Sequence, residues 1–571
     1  MSSSGIQDFL KSQNMSKIND IDKEKCETPL SLEEIAKAAK ELKNDKSPGS
    51  DGISANFYKF FWPDIKLFLF DSYKYSFDHN LLSSDQRRGI LNLIPKPNKD
   101  LCYLKNWRPV SILNTDYKIL TKALSNRLQP LLSEIVAMDQ VGYIKGRQII
   151  ENIRIINDMM SYTDLKHIPG FITLIDFEKA FDSVEWPFLI NTLKAFNFGD
   201  NFIRWISILY TKIQSCVSNN GYFSEYFELS RGIRQGCPIS ALLFILVAEV
   251  MAIHIRNDED IKGIKVENVT YKICQLADDT TLFVHDINSL EKSIEQLKKF
   301  SLFSGLKINL EKTEIIPIGI SKSKEIKLPK SLTQITINKN AFKTLGIWFS
   351  HDVNELVSLN FEKKLKAMSS LVSVWLSRNL SLKGRILILK SLILPQINFV
   401  ISNIFCPMHV LQKINKMITL FVWNNKPPKV KKTSIIANYA DGGLKMPDIF
   451  TMHTIAKIKW IKKLLTEPST QGNWQFLFSY LLNISTDMIK RKLPVFFKDK
   501  GLTPFHKQVL ECWGHFHGTE PCTIEEICNE FIFDNKFICS NNNPLKVKLL
   551  NLANTETMQN LRINDFLGFD G

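Results

Sequence analysis

A chain of 571 residues, 44% hydrophobic and 11% aromatic, carries enough apolar material for about three or four domains or subdomains, which excludes a solvated tail. Its 73 basic and 58 acidic residues leave a net charge of +15, which points to a polyanionic partner, nucleic acid before membrane. The excess is concentrated: residues 361–470 hold 18 Lys or Arg against 4 Asp or Glu, a net of +14. A solvated basic face is the bland alternative for that stretch, and binding of a polyanion is the favoured reading.

Residues 1–30 are polar and weakly patterned and read as a flexible lead-in. They show neither the basic n-region nor the apolar h-region of a secretory signal. Ten cysteines without a framework spacing fit a reducing compartment, so an intracellular protein is expected. A helix follows, with Ser31 as cap, Glu34 three residues on, and Ile35, Ala38, Ala39 and Leu42 as its apolar stripe. It ends at the turn-rich Lys46-Ser47-Pro48-Gly49-Ser50-Asp51-Gly52, and an aromatic-rich helix covers about Asn56 to Asp78.

Leu91 to Ile94 and Asn106 to Leu113 read as two strands, and Lys96, Lys99 and Arg108 lie at their joined ends. Cations there could cradle a triphosphate or a nucleic-acid backbone, although taken by themselves they favour a surface hairpin with ordinary solubilising charges. A helix from Tyr117 to Ala137 precedes a Gly-punctuated basic loop, Asp139 to Arg147. The apolar strand Phe171 to Ile175 then delivers Asp176 at its C-terminal end, where open sheets place their chemistry.

Trp186 to Thr211 reads as a helix, and Cys216 to Leu229 as a hairpin around Asn219-Asn220-Gly221. Gly232 and Gly236 permit close backbone approach before the apolar run Ala241 to Ile255, with Pro238 in its first helical turn. That run, interrupted by Glu249 and His254, is too short to span a bilayer and reads as a buried helix.

Asp278 and Asp279 stand between two strand-like segments, Tyr271 to Ala277 and Thr280 to Val284, as the tip of a hairpin. An ordinary solvated turn explains such a pair. Two like charges ~4 Å apart repel by roughly 4 kcal/mol at an effective dielectric of 20. A third carboxylate, Asp176, 102 residues upstream, would make the cluster require a divalent cation, the apparatus of nucleotidyl transfer. A helix from Ser289 to Ser304, a strand pair around Phe342 to Phe349 and the basic helices, broken at Pro395, complete the described pattern.

Six segments in order are Ser47 to Gly52, Trp107-Arg108-Pro109-Val110-Ser111, Gly142-Tyr143-Ile144-Lys145-Gly146-Arg147, Asp176 to Asp182, Arg234-Gln235-Gly236 and Ala277-Asp278-Asp279. Each alone is weak; together, in this order and spacing, they resemble the reverse transcriptase of non-LTR retrotransposons, the long interspersed elements. The resemblance runs from about Ser47 to Phe349, and more loosely through Gly442 to Pro447.

It implies an α+β right-hand polymerase: a lead-in at 1–46, fingers at 47–165, palm with primer grip at 166–360, a basic helical thumb at 361–470, and a C-terminal region of unassigned role at 471–571. It implies RNA-directed DNA synthesis, with template RNA, DNA primer and deoxynucleoside triphosphates as partners, and no membrane. The expected place of action is a cytoplasmic ribonucleoprotein or the nucleus. Asp176, Asp278 and Asp279 would be the catalytic metal ligands, joined by the Phe177 carbonyl, for two magnesium or manganese ions. Lys96 and Arg108 resemble the cations that meet the triphosphate, and Gln235 and Gly236 would line the nucleotide pocket.

Phe181 resembles the gate that excludes a ribose 2′-OH, with core packing as its alternative. Lys312 resembles the lysine that protonates pyrophosphate, with plain surface charge as its alternative. Leu345, Gly346 and Ile347 resemble the primer grip. Lys145, Arg147, Lys383, Arg385 and Lys390 are the expected nucleic-acid contacts.

Leu276 stands where relatives more often carry an aromatic, so an altered primer contact is expected. Nothing in residues 1–46 would hold the endonuclease common in such elements, so target cleavage is not expected of this chain. Cys512, His515, His517, Cys522, Cys528 and Cys539 lack a Cys-x2-Cys pair, which favours buried thiols over a zinc site. The competing reading is a catalytically silent, retrotransposon-derived nucleic-acid-binding protein; an intact Asp triad argues for the enzyme. An RNA-dependent RNA polymerase is disfavoured by Phe181.

Overall fold

The computed structural model describes residues 3–97, 99–466, 473–482, 502–516, 539–540 and 543–544. They fall into two compact units, residues 1–152 with 169–338, and residues 153–168 with 339–571.

The first unit is built on two sheets. In one, β1 (Arg88–Pro95) pairs antiparallel with β2 (Trp107–Leu113), Ile94 facing Arg108, so the cationic loop joins two paired strand ends as expected. The other edge of β1 runs parallel to β4 (Gln214–Asn219), which turns back into β5 (Tyr222–Phe223) and also pairs with β6 (Phe227–Glu228). Asn220 and Gly221 both take positive φ at that turn, the geometry a tight two-residue hairpin demands.

The second sheet has the order β12 (Thr336–Ile337), β11 (Glu314–Gly319), β3 (Pro169–Ile175), β10 (Asp279–Val284), β9 (Ile273–Leu276). Its central strand β3 is paired on both edges and buried along most of its length, Phe171, Ile172 and Ile175 among the buried residues; a strand covered on both faces is apolar along its length rather than alternating. Beside it stands a small hairpin of β7 (Ile264–Val266) and β8 (Val269–Tyr271).

Helices Thr115–Ile135, Trp186–Ala195, Asp200–Tyr210, Ser240–Asn257 and Ile287–Ser304 supply most of the surrounding core. The helix Ser240–Asn257 is long and apolar enough to cross a membrane by length and composition, three residues longer than the run read from sequence. Its apolar character serves burial on nearly all sides. Pro238 precedes the helix, whose N-cap is Ile239.

Two expectations are corrected in this unit. Residues 1–30 are not a loose lead-in, nor 1–46 a linker: helices Ser3–Lys11 and Asp20–Glu27 pack Ile6, Leu10, Ile18 and Cys26 into the core. Phe9 stacks on Phe303 with ring centroids 4.6 Å apart. A polar average hid an apolar stripe at helical spacing. The single helix from Trp186 to Thr211 is two, parted at Asn197, whose φ of 69° no helix accommodates. The capping box of Ser31 and Glu34 is formed as expected on the helix Leu32–Glu41.

The second unit opens with β13 (Phe342–Thr344) and β14 (Ile347–Phe349), joined through Leu345 and Gly346, both at positive φ. Helices Val353–Leu376, Leu382–Ile388, Pro395–Asn403, Met408–Val422, Ile449–Thr466 and Pro504–Phe516 follow. The chain bends by 52° before Pro395, since proline cannot donate back into the preceding turn. Not every cation of this basic region faces water. Lys457 is fully buried, its ammonium donating to the Ile401 carbonyl at 2.8 Å and lying 4.4 Å over the Phe505 ring. Cys512 is buried, and the side chains of His515, His517, Cys522, Cys528 and Cys539 lie outside the described residues.

Candidate active site

The register of one strand pair assembles the acidic cluster. β3 ends at Ile175, which faces Thr280 on β10, so Asp176 and Asp279 come next on adjoining antiparallel strands. The segment after β3 is held by its neighbour: the Asn309 N–H donates to the Asp176 carbonyl at 2.8 Å, and the Glu178 N–H donates to the Lys307 carbonyl at 2.9 Å. Phe177 forms an isolated bridge with Ile308 in the same place.

On the other strand, Asp279 pairs with Leu276, so the two-residue turn is Ala277-Asp278 rather than the acidic pair itself. Ala277 takes a φ of 57°, a conformation that costs an L-residue with a Cβ about 1 kcal/mol or more.

Asp278 and Asp279 are exposed at the turn, yet the protein around them still displaces water. Burial, then the charges of Asp278 and Asp176, push the Asp279 carboxyl up to about 6. Burial, aided by Asp176, pushes Asp278 up as well. The three carboxylates thus sit within electrostatic reach of one another. Asp176 Oδ2 accepts no hydrogen bond; its nearest cation is Lys312 Nζ at 3.5 Å.

Among the described residues no three His, Cys, Asp or Glu side chains stand in ligating positions as they are, this triad included. The donor set nevertheless suits a hard divalent ion: three carboxylates, two shifted toward their protonated form by burial and then by their acidic neighbours, and one buried oxygen without a donor.

A cationic cluster adjoins the acids. Lys96 is lowered from its ordinary range by burial and then by Lys312 and Arg108, while Asp176 opposes the shift. Lys179 repels it too, a residue that sequence reasoning passed over inside the Asp176 to Asp182 segment. Its φ of 47° holds it on a turn after the strand. A lysine three residues past Asp176, the acid that ends the apolar run, was the available signal.

Phe181 is half-buried and stacks on Phe244 with centroids 4.3 Å apart and planes 17° apart. Its carbonyl accepts from the Ile233 N–H at 2.7 Å, which ties it to the Gly-rich loop. Gln235 donates to Asp182 Oδ1 at 3.5 Å, and the Ser111 N–H donates to the Gln235 carbonyl at 2.9 Å. Gly236, at a φ of 104°, has no room for a side chain: a Cβ would lie 2.4 Å from the Ser111 carbonyl oxygen. The loop is therefore laid directly on the strand that carries Arg108.

The remaining expected residues lie each within its own unit. Leu345, Gly346 and Ile347 belong to the second unit. Lys145, Lys383 and Lys390 are exposed. Arg147 is a correction. Its guanidinium donates to the carbonyls of Val136 and Gln140, both at 2.8 Å, and of Ala137, closing the end of the helix Thr115–Ile135. Donors spent on backbone carbonyls are not free for phosphate. Arg385 is half-buried and donates to the Val422 carbonyl at 3.3 Å, which likewise turns it inward.

Comparison with known proteins falls on the same residues. Residues 94–349 match the family described as reverse transcriptase (RNA-dependent DNA polymerase). A protein of transposon TX1 from Xenopus laevis, described as an uncharacterized 149 kDa protein, is 32% identical over 71% of this chain and 31% of its own length. The Pol polyprotein of retrotransposable element R2DM from Drosophila melanogaster is 24% identical over 62% of this chain and 34% of its own. The chain thus spans about a third of the length of these relatives. Telomerase of Candida tropicalis is similar in structure at a TM-score of 0.36 and 14% identity, over 75% of this chain and 68% of that one.

Proposed function

We propose that this chain, whose residues 94–349 are a reverse transcriptase domain of the non-LTR retrotransposon family, is an RNA-directed DNA polymerase that extends a DNA primer on an RNA template. The observation that carries this reading is the strand register that sets Asp176 beside Asp279, with Asp278 next in the turn. Asp176, Asp278 and Asp279 would hold two divalent ions, magnesium or manganese, with the Phe177 carbonyl as a further ligand. Such ions, when bound, neutralise charge on a transferring phosphoryl group and favour the attacking hydroxyl.

The chain's own groups do the rest. Lys96, Arg108 and Lys179 bind and orient the triphosphate of the incoming nucleotide. Lys312 Nζ donates a proton to the departing pyrophosphate. Gln235 and Gly236 bound the nucleotide pocket, and Leu345 to Ile347 hold the primer end. Exposed Lys145, Lys383 and Lys390 follow the nucleic-acid backbone, within fingers, palm and thumb at 47–165, 166–360 and 361–470. Work inside the cell, on a cytoplasmic ribonucleoprotein or in the nucleus, belongs to the same proposal.

The experiment is primer extension on an RNA template with magnesium, with Asp278→Asn as control. A wild-type protein that binds duplex but adds no nucleotide would establish the silent nucleic-acid-binding reading instead. Phe181, backed by Phe244, closes the pocket against a 2′-OH. Phe181→Ala is expected to raise ribonucleotide incorporation relative to deoxyribonucleotide by about a hundredfold, the scale of discrimination a shaped apolar wall supplies. Unchanged sugar selection, measured by competing the two triphosphates, would return Phe181 to plain core packing.

A further inference from the structure

The acidic turn rests on a conformation its own residue disfavours. Ala277 holds a positive φ immediately before Asp278, and nothing in its side chain supports that state. The support comes from a glutamine 137 residues away in sequence. Gln140 is fully buried. Its Oε1 accepts the Ala277 N–H at 2.9 Å and also the Gly142 N–H at 2.8 Å, while its Nε2 donates to the Ala277 carbonyl at 3.4 Å. One side chain thereby grips both polar groups of the residue that the turn strains.

The backbone around this grip leaves little freedom. The Val141 N–H donates to the Gln275 carbonyl at 2.9 Å, and the Gln275 N–H donates to the Asp139 carbonyl at 2.7 Å, making a short parallel bridge. Asn152 Nδ2 donates to the same Gln275 carbonyl at 2.8 Å. A Cβ on Gly142 would stand 2.5 Å from the Ala277 nitrogen, so only glycine allows the two backbones this close.

We propose that Gln140 is a positioning residue for the acidic cluster: by accepting the Ala277 and Gly142 N–H groups together, it locks the turn that presents Asp278 and Asp279. The inference rests on the polymerase reading above. It assigns Gln140 no contact with substrate; it acts through the Ala277 backbone. Groups that orient metal-binding side chains from behind set affinity for the ion by about 10- to 100-fold.

The test is Gln140→Met, which keeps the volume and removes the Oε1 that accepts both N–H groups, together with the Nε2 donor. Mn2+ binding to the nucleic-acid-free protein, followed by the electron paramagnetic resonance of the free ion, is expected to weaken by about tenfold. Affinity for an RNA–DNA duplex, by fluorescence anisotropy, is expected to stay unchanged. Adding Ala277→Gly, which takes positive φ without cost, should restore most of the Mn2+ affinity. A side chain that merely filled space would show no such rescue. Mn2+ binding unchanged in a folded Gln140→Met protein overturns the proposal.

Should that variant not fold, Gly142→Ala, which presses on the same nitrogen, is read in its place with the same two outcomes. Failure of both to fold, unrelieved by Ala277→Gly, would make Gln140 a residue of the fold alone and overturn the assignment. A wild-type protein that binds no Mn2+ sinks the polymerase reading, and this inference with it. Binding that is present and indifferent to Gln140 sinks only the inference.

Discussion

Asp278→Asn is expected to lower primer extension by roughly a thousandfold or more, with duplex binding unchanged, because electrostatic stabilisation supplies most of phosphoryl-transfer catalysis. The substitution keeps shape and takes one of three converging charges from the cluster. The same arrangement strains the metal-free protein. Since the Asp279 carboxyl is pushed up to about 6 by burial and by Asp278 and Asp176, the folded state holds its proton more tightly than the unfolded chain, where a carboxyl titrates near 3.9. Its contribution to stability is therefore complete below about pH 4 and is lost as pH rises through about 6. In chelator, Asp279→Asn should flatten that fall, as read by urea melts at pH 5 and pH 7.5. A wild-type protein that gains stability over this interval relative to the variant would contradict the mutual repulsion of the three acids. Added magnesium should remove the difference at the higher pH by answering the charge.

What could be read from sequence, and what could not, divides on whether the signal was local. Asp176 was legible because a strand buried on both faces is apolar throughout, and its first charge marks its end. The hairpin before and after the acidic pair was legible for the same reason, although its turn lies one residue earlier than the composition suggested. That the two segments meet across 102 residues of chain required the fold. Arg147 misled because its charge was visible and its hydrogen bonds to the backbone carbonyls of Val136, Ala137 and Gln140 were not. The N-terminal helices were missed because few apolar residues, Ile6, Phe9 and Leu10 among them, carry their packing. Gln140 gave no local sign at all: its partners are backbone atoms of a distant turn, and no periodicity records them. Lys457 shows the converse, a cation counted toward a basic surface that the core consumes.

Behind the acidic turn lies a second charged group whose disruption should be costly to the fold rather than to chemistry. Arg256 joins two buried acids, its Nε 2.9 Å from Asp139 Oδ2 and its Nη2 2.7 Å from Glu249 Oε1. Both carboxyls are almost wholly out of water, and burial pushes Glu249 up to about 7. The Asp139 carbonyl, in turn, accepts the Gln275 N–H on the strand that enters the turn. Removing one member of a buried ionic group leaves its partners uncompensated, so Arg256→Met should destabilise the protein by about 3–5 kcal/mol at pH 8. The sign of its pH dependence follows from the acids. Without the guanidinium, Arg147 alone is left to offset Asp139 and Glu249, so the folded pKa values of the two acids rise further above the unfolded ones. Stability of the variant is then retained at low pH and lost as pH rises. Urea denaturation at pH 5.5 should accordingly show a smaller deficit than at pH 8. An equal deficit at both would mean that Arg256 matters for its packing alone. A deficit confined to low pH would reverse the assignment of charge in this cluster.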